Sequence, residues 1–456
     1  MNKSIKEHII RTILYMNKNN DLKRWELTNF CEIDKYASEV YMAVHNVSEE
    51  LNLGDVTLND MSKVKDFTFI SAGSPCQDFS LAGKQAGSVW TCDDCGFEYN
   101  PITVHHSKRN KCPHCDSENI SKTRSSLLVE FLKFVREKNP KFGIYENVKN
   151  LTSKKFIDTF NMFLGELNEY GYNTYYKVLN AKNYGIPQNR ERVYVVYIRK
   201  DLDNGMFKFP VGFELKLRLK DMLENEVDEK YYLSDELIEK ITANSQSQAS
   251  DNEPCINIKE ATKKGYKEAH DGDGVYINRP HQKRGVVQEN MIQTIKTGMD
   301  IGVVVGGSKN NLVGSSYIRY YGSRGKLQNE NGIADTLLRA MGTGGGNMPI
   351  VNTNLRIRKL TPLECWRLMG FKDNHFIKAK DALNEKFYKG KDRSSSQLYK
   401  QAGNSIVVDV LFYIYKNIYS VMPYLFDDLK MCSLFSGIGA PEVALDRLYD
   451  EVINIE

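Results

Sequence analysis

Apolar positions change their period along this chain, and the changes divide it. Residues 25–31, 67–71, 142–145, 175–179 and 192–198 are short runs rich in β-branched and aromatic residues, and each predicts a strand. Residues 52–56, turning at Gly54-Asp55, predict one more. Residues 34–44, 127–138 and 156–169 instead carry apolar side chains at helical spacing; the second stops before Pro140 and the third at Gly171. Strands alternating with helices predict a doubly wound α/β domain, here residues 26–200.

After Lys200 the alternation lapses. Residues 241–254, rich in Ser, Gln and Asn, predict a flexible connector. Short β-prone runs then follow between glycine-rich turns, so residues 205–353 are expected to form a second, smaller and irregular β-rich domain. The run from Ile292 to Thr297 is loosely echoed from Ala334 to Arg339, which fits a repeated hairpin. The α/β pattern returns over residues 356–456, with elements expected at 361–369, 406–419 and 430–448. At the other end, Ile5, Ile9, Ile13 and Met16 mark one face of a short helix within residues 1–25.

Composition narrows the class. A chain of 456 residues, 41% hydrophobic and 26% charged, suits a soluble protein of two or three domains. No apolar stretch reaches the length of a membrane span, and Lys6, Glu7 and Arg11 interrupt any signal-peptide core, so a cytoplasmic monomer is expected. Net charge is only +4, so a nucleic-acid partner would be held by local basic patches. Four of the nine cysteines form two Cys-x-x-Cys pairs, Cys92 with Cys95 and Cys112 with Cys115, sixteen residues apart. That spacing predicts a four-thiolate structural zinc site in an insert over residues 91–120. His105, His106 and His114 are then spare, and Lys108, Arg109 and Lys111 form a small basic patch expected to face outward.

Candidate chemistry collects at strand ends, where open α/β sheets bind ligands. Gly73, Ser74 and Pro75 stop one strand, and Cys76 follows at its tip. Glu32 ends another, placed to accept hydrogen bonds from ribose hydroxyls. Gly437 and Gly439 sit in a strand–turn–helix where a backbone must approach a ligand closely. Glu146 ends a third strand, as a general acid would, and Arg190 and Arg192 offer positive charge for a carbonyl oxygen.

These blocks resemble the motifs of the DNA cytosine-5 methyltransferases. Gly-Ser-Pro-Cys-Gln at Cys76 is similar to the nucleophile loop, Glu146-Asn-Val to the second catalytic motif, and Gln188-Asn-Arg-Glu-Arg192 to the arginine motif. Thr123-Arg124 resembles the block after the catalytic loop, Arg358 to Phe371 the helix that organises the recognition domain, and Gln401 to Val407 the closing motif. Phe435, Ser436, Gly437, Ile438 and Gly439 resemble the S-adenosylmethionine loop. The resemblance implies a Rossmann-like S-adenosylmethionine-dependent methyltransferase domain. It further implies that Ile33 packs on adenine, Asp55 reads its amino group, and Asn404 and Ser405 lie by the methionine end of the cofactor.

The activity implied is methyl transfer to carbon 5 of a specific cytosine in double-stranded DNA, as in bacterial or phage modification systems. The base would be flipped out and held in a covalent Cys76 adduct, with Arg192 meeting it. Residues 205–353 would read the sequence, with Arg279, Lys283, Arg284, Arg319 and Arg324 as candidate contacts. A tRNA cytosine-5 methyltransferase is the rival enzyme, although that branch carries a shorter variable domain. A silent DNA-binding protein is the rival from another class. One departure stands out: the cofactor loop, first in the family's usual order, comes last here, as in a chain circularly permuted between the first and second motifs.

Overall fold

The computed structural model describes residues 24–455 except 59, 76–88, 123–126, 243–254, 280, 298–299, 307–316, 321–322, 330–349 and 353–354. Cys76, Thr123-Arg124, the expected helix within residues 1–25, most of the 241–254 connector and the second copy of the hairpin echo lie outside the described residues. Two compact units emerge: Met1–Lys216 with Lys296–Gly298 and Cys365–Glu456, and Leu217–Ile295 with Met299–Glu364.

The first unit is built on a six-stranded mixed sheet. Its strands are β1 (Glu26–Cys31), β2 (Phe69–Ala72), β3 (Phe142–Val148), β4 (Tyr172–Asn180), β5 (Glu191–Arg199) and β6 (Lys430–Leu434), in the order β1-β6-β2-β3-β5-β4. The first four in that order run parallel, and β5 is antiparallel to both of its neighbours. The last strand of the chain therefore pairs with the first two. Alternation sorts β2 across the sheet: Ile70 and Ala72 join a core with helices α2 (Leu128–Lys138) and α3 (Ile157–Glu169), whereas the Phe69 ring meets Tyr415. Gly143 of β3 has no room for a side chain, because a Cβ there would lie 2.1 Å from the Tyr197 hydroxyl.

Helix α1 (Lys35–His45) starts where the Asp34 carboxylate accepts from the amides of Tyr36 and Ala37, and it ends at Asn46 in the left-handed region. Residues 365–456 add α4 (Asp373–Tyr388), α5 (Ser395–Asn404), α6 (Val408–Val421) and α7 (Ala440–Leu448). Helices α4 and α5 were not among the expected elements; α4 is largely polar, with only Phe376, Ala379, Leu383 and Asn384 buried.

Residues 52–56 do not form a strand. Asn52 makes a single bridge to Phe30, and short 3-10 turns flank it at Glu49–Leu51 and Val56–Leu58. The Asn52 side chain instead bonds the backbone of Glu32 and Gly54, and Gly54 turns the chain at φ 66°. Such side-chain bonds to the backbone displace a strand ladder.

The second unit holds a four-stranded antiparallel sheet of Val287–Gln288, Gly274–Tyr276, Ile301–Gly306 and Leu355–Lys359, in that order. The Ile256–Lys259 and Tyr266–Ala269 hairpin joins its core through Ile258 and Ala269. Its limits differ from the expected 205–353. Residues 205–216 belong to the first unit, where Asn417 donates to Lys208 O at 3.1 Å and Tyr184 to Pro210 O at 2.9 Å. Residues 355–359 close the second unit's sheet, and Arg358 pairs with Glu364 at 2.7 Å, both buried.

Candidate active site

One cleft of the first unit gathers the carboxyl ends of β2, β3 and β6 and the end of α5. It is lined by Ser71, Ala72, Gly73, Glu146, Asn404, Ser405, Ile406 and the loop from Ser433 to Gly437, with Ala440 and Pro441. The loop is built tightly. Phe435, Gly437 and Gly439 all have positive φ, at 54°, 55° and 79°. A Cβ on Gly439 would collide with His45, whose Nε2 lies 3.2 Å from Ile438 O. Burial pushes His45 down to about 4, so the ring is neutral and donates from Nε2 to that carbonyl.

Glu32 clamps the loop from β1. Its carboxylate accepts from the amides of Gly437 and Asp34, each at 2.8 Å. Burial raises its pKa, and those two N–H groups oppose the rise. Ile33 is 74% exposed, an apolar side chain presented to solvent beside this acid. Asp55 is engaged locally: its Oδ1 accepts from the amide and hydroxyl of Thr57. Ile438 is buried, and Ser436 donates to Ser433 O at 2.9 Å, so both shape the loop from within.

Glu146 and Arg192 meet on one face, because β3 and β5 pair Val148 with Arg192 and Glu146 with Tyr194. Arg192 Nε lies 3.2 Å from Glu146 Oε1. Burial raises the Glu146 pKa, against the pull of Arg192 and Arg190. Arg190 does not share that position. Its guanidinium donates to Ser405 O at 2.7 Å and Gly403 O at 3.2 Å, tying the arginine motif to the closing motif.

Sequence reasoning missed the brace at the base of the Cys76 loop. Ser74 and Tyr145 hydroxyls lie 2.6 Å apart, and Asn147 donates to Tyr145 Oη at 3.0 Å and Ser74 Oγ at 3.2 Å. All three are buried. The signal in the sequence was Tyr145 and Asn147 flanking Glu146: alternation sends both to the opposite face, toward Ser74.

The four insert cysteines converge. Their sulfurs all lie within 4.8 Å of one another, with Cys92 to Cys115 at 3.5 Å and Cys95 to Cys112 at 3.7 Å. A tetrahedral zinc with bonds of about 2.3 Å holds sulfurs about 3.8 Å apart, so the donor set fits that ion. Matching turns present both pairs: Gly96 N donates to Cys92 O and Asp116 N to Cys112 O. Among the described residues no histidine joins the cluster.

Arg109 corrects the expected outward basic patch. It is 7% exposed, donates to Pro101 O and Val104 O, and forms a two-pronged pair with Glu166 of α3, one prong at 2.8 Å. Trp90, Tyr99 and Ile102 enter the main core, so the insert is bolted to the domain. Lys108 and Lys111 remain exposed, the latter beside Glu118 at 3.7 Å. In the second unit Arg279 is held by Asp300 and stacks on Tyr276, whereas Lys283 and Arg284 are exposed. The side chains of Arg319 and Arg324 lie outside the described residues.

No helix among the described residues is long and apolar enough to cross a membrane. The sequence profile described as C-5 cytosine-specific DNA methylase matches residues 17–104 and 115–420. An orphan methyltransferase of Bacillus phage SPbeta, M.SPBetaI, is 32% identical, the alignment covering 86% of this chain and 92% of its own. The type II methyltransferase M.HhaI of Haemophilus parahaemolyticus is 31% identical, over 86% and 87%. Among solved structures, an Entamoeba histolytica methyltransferase, EhMeth, aligns at 14% identity and TM-score 0.44, over 88% and 89%. With the family profile spanning most of its length, the chain belongs to the C-5 cytosine-specific DNA methylases and is a DNA cytosine methyltransferase.

Proposed function

We propose that this enzyme uses S-adenosylmethionine to methylate carbon 5 of a flipped cytosine through a covalent Cys76 adduct. The observation that carries the reading is the shared cleft: Glu146, the end of the strand leading to Cys76, and the Phe435–Gly437 turn all line it. Glu32 and the loop amides would hold the ribose and methionine portions, with Asp55, Ile33, Asn404 and Ser405 completing the cradle. Bound there, S-adenosylmethionine supplies an electrophilic methyl group. The Cys76 thiolate adds to carbon 6, forming a carbon–sulfur bond, while Glu146 shares a proton with ring nitrogen N3. Arg192, beside Glu146, stabilises charge at the ring carbonyl oxygen. Carbon 5 becomes nucleophilic; once it is methylated, a base removes its proton and the returning electron pair expels the thiolate. Arg190 acts one step back, fixing Gly403 and Ser405.

Two finer readings accompany this. The β6 strand and glycine loop serve as the family's first motif, placed last in the chain; β6 lies between β1 and β2, and the family match ends at residue 420. One structural zinc sits on Cys92, Cys95, Cys112 and Cys115. The second unit, for its part, would read a specific sequence in duplex DNA as the target recognition domain.

The test is Cys76→Ser. Methyl transfer from labelled cofactor to duplex DNA should vanish while cofactor affinity holds. A duplex carrying 5-fluorocytosine should trap the wild type covalently. Turnover by the serine variant, or transfer to tRNA in preference to DNA, would overturn the reading.

A further inference from the structure

Behind the glycine loop, five polar side chains are sealed in the core. Glu442, in the first turn of α7, is wholly buried, and Tyr41 of α1 donates to its Oε1 at 2.7 Å. Among the described residues its other oxygen has no well-aligned hydrogen-bond partner, and neither have the hydroxyls of Ser433 on β6, Ser71 on β2 and Tyr415 on α6. Ser71 and Ser433 are register partners on adjacent parallel strands, so their side chains share a face. Ser433 sits beside Glu442 and Ser71 beside Tyr415, without a well-aligned bond in either pair. Unpaired buried polar groups are rare and destabilising, so four together call for a use.

The cluster touches the cleft. Ser71 and Ser433 line it along with Phe435, Ser436 and Gly437, so a polar path runs from the cleft floor to a carboxyl that solvent does not reach. Burial pushes Glu442 up to about 7, against the pull of the neighbouring Ser433 hydroxyl and the Tyr41 bond, and Asp446 adds to the rise. The groups facing it are Tyr41 from α1, Cys432 and Ser433 from β6, Tyr415 from α6 and Asp446 on its own helix. Burial holds Tyr41, Tyr415 and Cys432 well above their ordinary values, so all three stay neutral where Glu442 changes charge.

We propose that Glu442 reads the charge of the ligand in the cofactor cleft, favouring the sulfonium of S-adenosylmethionine over the neutral thioether S-adenosylhomocysteine. This rests on the cofactor reading above. Cofactor and product differ by one methyl group and one positive charge, and a charge in a low-dielectric core is felt through the two serines. Binding the cation lowers the Glu442 pKa; binding the thioether leaves it high. The preference for cofactor over product is therefore small at acid pH, rises as pH passes through the neutral range, and levels off once Glu442 is ionised in both complexes.

Calorimetric affinities for S-adenosylmethionine, S-adenosylhomocysteine and the cationic analogue sinefungin, measured across pH 5.5 to 8.5 on wild type and Glu442→Gln, test this. A difference of about one pKa unit between the two complexes corresponds to about a tenfold change in the affinity ratio across the window. The wild type should show it for both cations, and Glu442→Gln should show only the ligands' own titration. Infrared difference spectra of the wild type give a second readout that needs no variant: the protonated-carboxyl band should fall on adding S-adenosylmethionine and persist with the thioether. Equal pH dependence in both proteins, or an unchanged band, overturns the inference while leaving the cofactor reading intact. If neither ligand binds at all, the cofactor reading itself fails and takes the inference with it.

Discussion

Two buried carboxylate–arginine pairs stand in the same unit and do opposite jobs. Glu166 of α3 is fully engaged: Arg109 grips it with two prongs, Tyr170 donates to it, and Arg109 spends its Nε on two backbone carbonyls. Among the described residues, Glu146 of β3 pairs only with Arg192, Nε to Oε1 at 3.2 Å, and no backbone N–H donates to it. The first pair is saturated and holds the cysteine insert to the domain. The second is left with unused lone pairs in a cleft, and burial drives its carboxyl toward the protonated form. Saturation marks an ion pair as structure; a deficit of partners at a cleft marks it as chemistry.

The contrast is sharpest under substitution. Glu146→Gln should lower kcat by roughly 100- to 10,000-fold, the range for a lost general acid, with little change in Tm. Steady-state methylation and a thermal melt of the same sample check it; a melt that drops with activity would make Glu146 structural. Arg109→Ala should do the reverse. Stranding Glu166 in the core is expected to cost about 3–5 kcal/mol of stability, with kcat per folded molecule kept. Replacing both partners, Arg109→Met with Glu166→Leu, should return most of that loss, and denaturant midpoints would show whether it does.

Glu442 offers a third, pH-dependent comparison. Its native pKa of about 7 lies above the ordinary 4.5, so the native state binds the extra proton and its stabilising effect is complete below pH 4.5. That effect is lost as pH rises through about 7, in total about 3 kcal/mol. Glu442→Gln should accordingly gain stability relative to wild type between pH 5 and pH 8; a constant gap in chemical denaturation at the two pH values would refute this. The smallest effect is expected at the insert surface. With Arg109 turned inward, Lys108→Glu with Lys111→Glu should change stability by less than about 0.5 kcal/mol and leave DNA affinity nearly unchanged. A steep loss in a salt-dependent binding assay would instead give that face a role in gripping the phosphate backbone.

Part of the proposed site was legible in the chain, because the chemistry proposed for it calls for particular residue types. The acid Glu146 and the glycine-bearing Phe435–Gly437 turn do meet in one cleft, and two Cys-x-x-Cys pairs at that spacing leave few alternatives to convergence. The α/β alternation was equally plain where strands were buried on both faces, as in β3 and β5. Local patterning could not show what side chains do to one another across hundreds of residues. Asn52 trades a strand for bonds to Glu32 and Gly54, and Arg109 looks like surface charge until Glu166, fifty-seven residues on, draws it inward. Arg190 and Arg192 are chemically alike and two residues apart, yet one binds the carbonyls of Gly403 and Ser405 while the other faces the Glu146 carboxylate. Likewise the sealed cluster of Tyr41, Ser71, Tyr415, Ser433 and Glu442 draws on five separate elements. Periodicity and motif chemistry determine which residues can act. Partner and burial are properties of the closed sheet, because desolvation and hydrogen-bond saturation exist only once distant segments have come together.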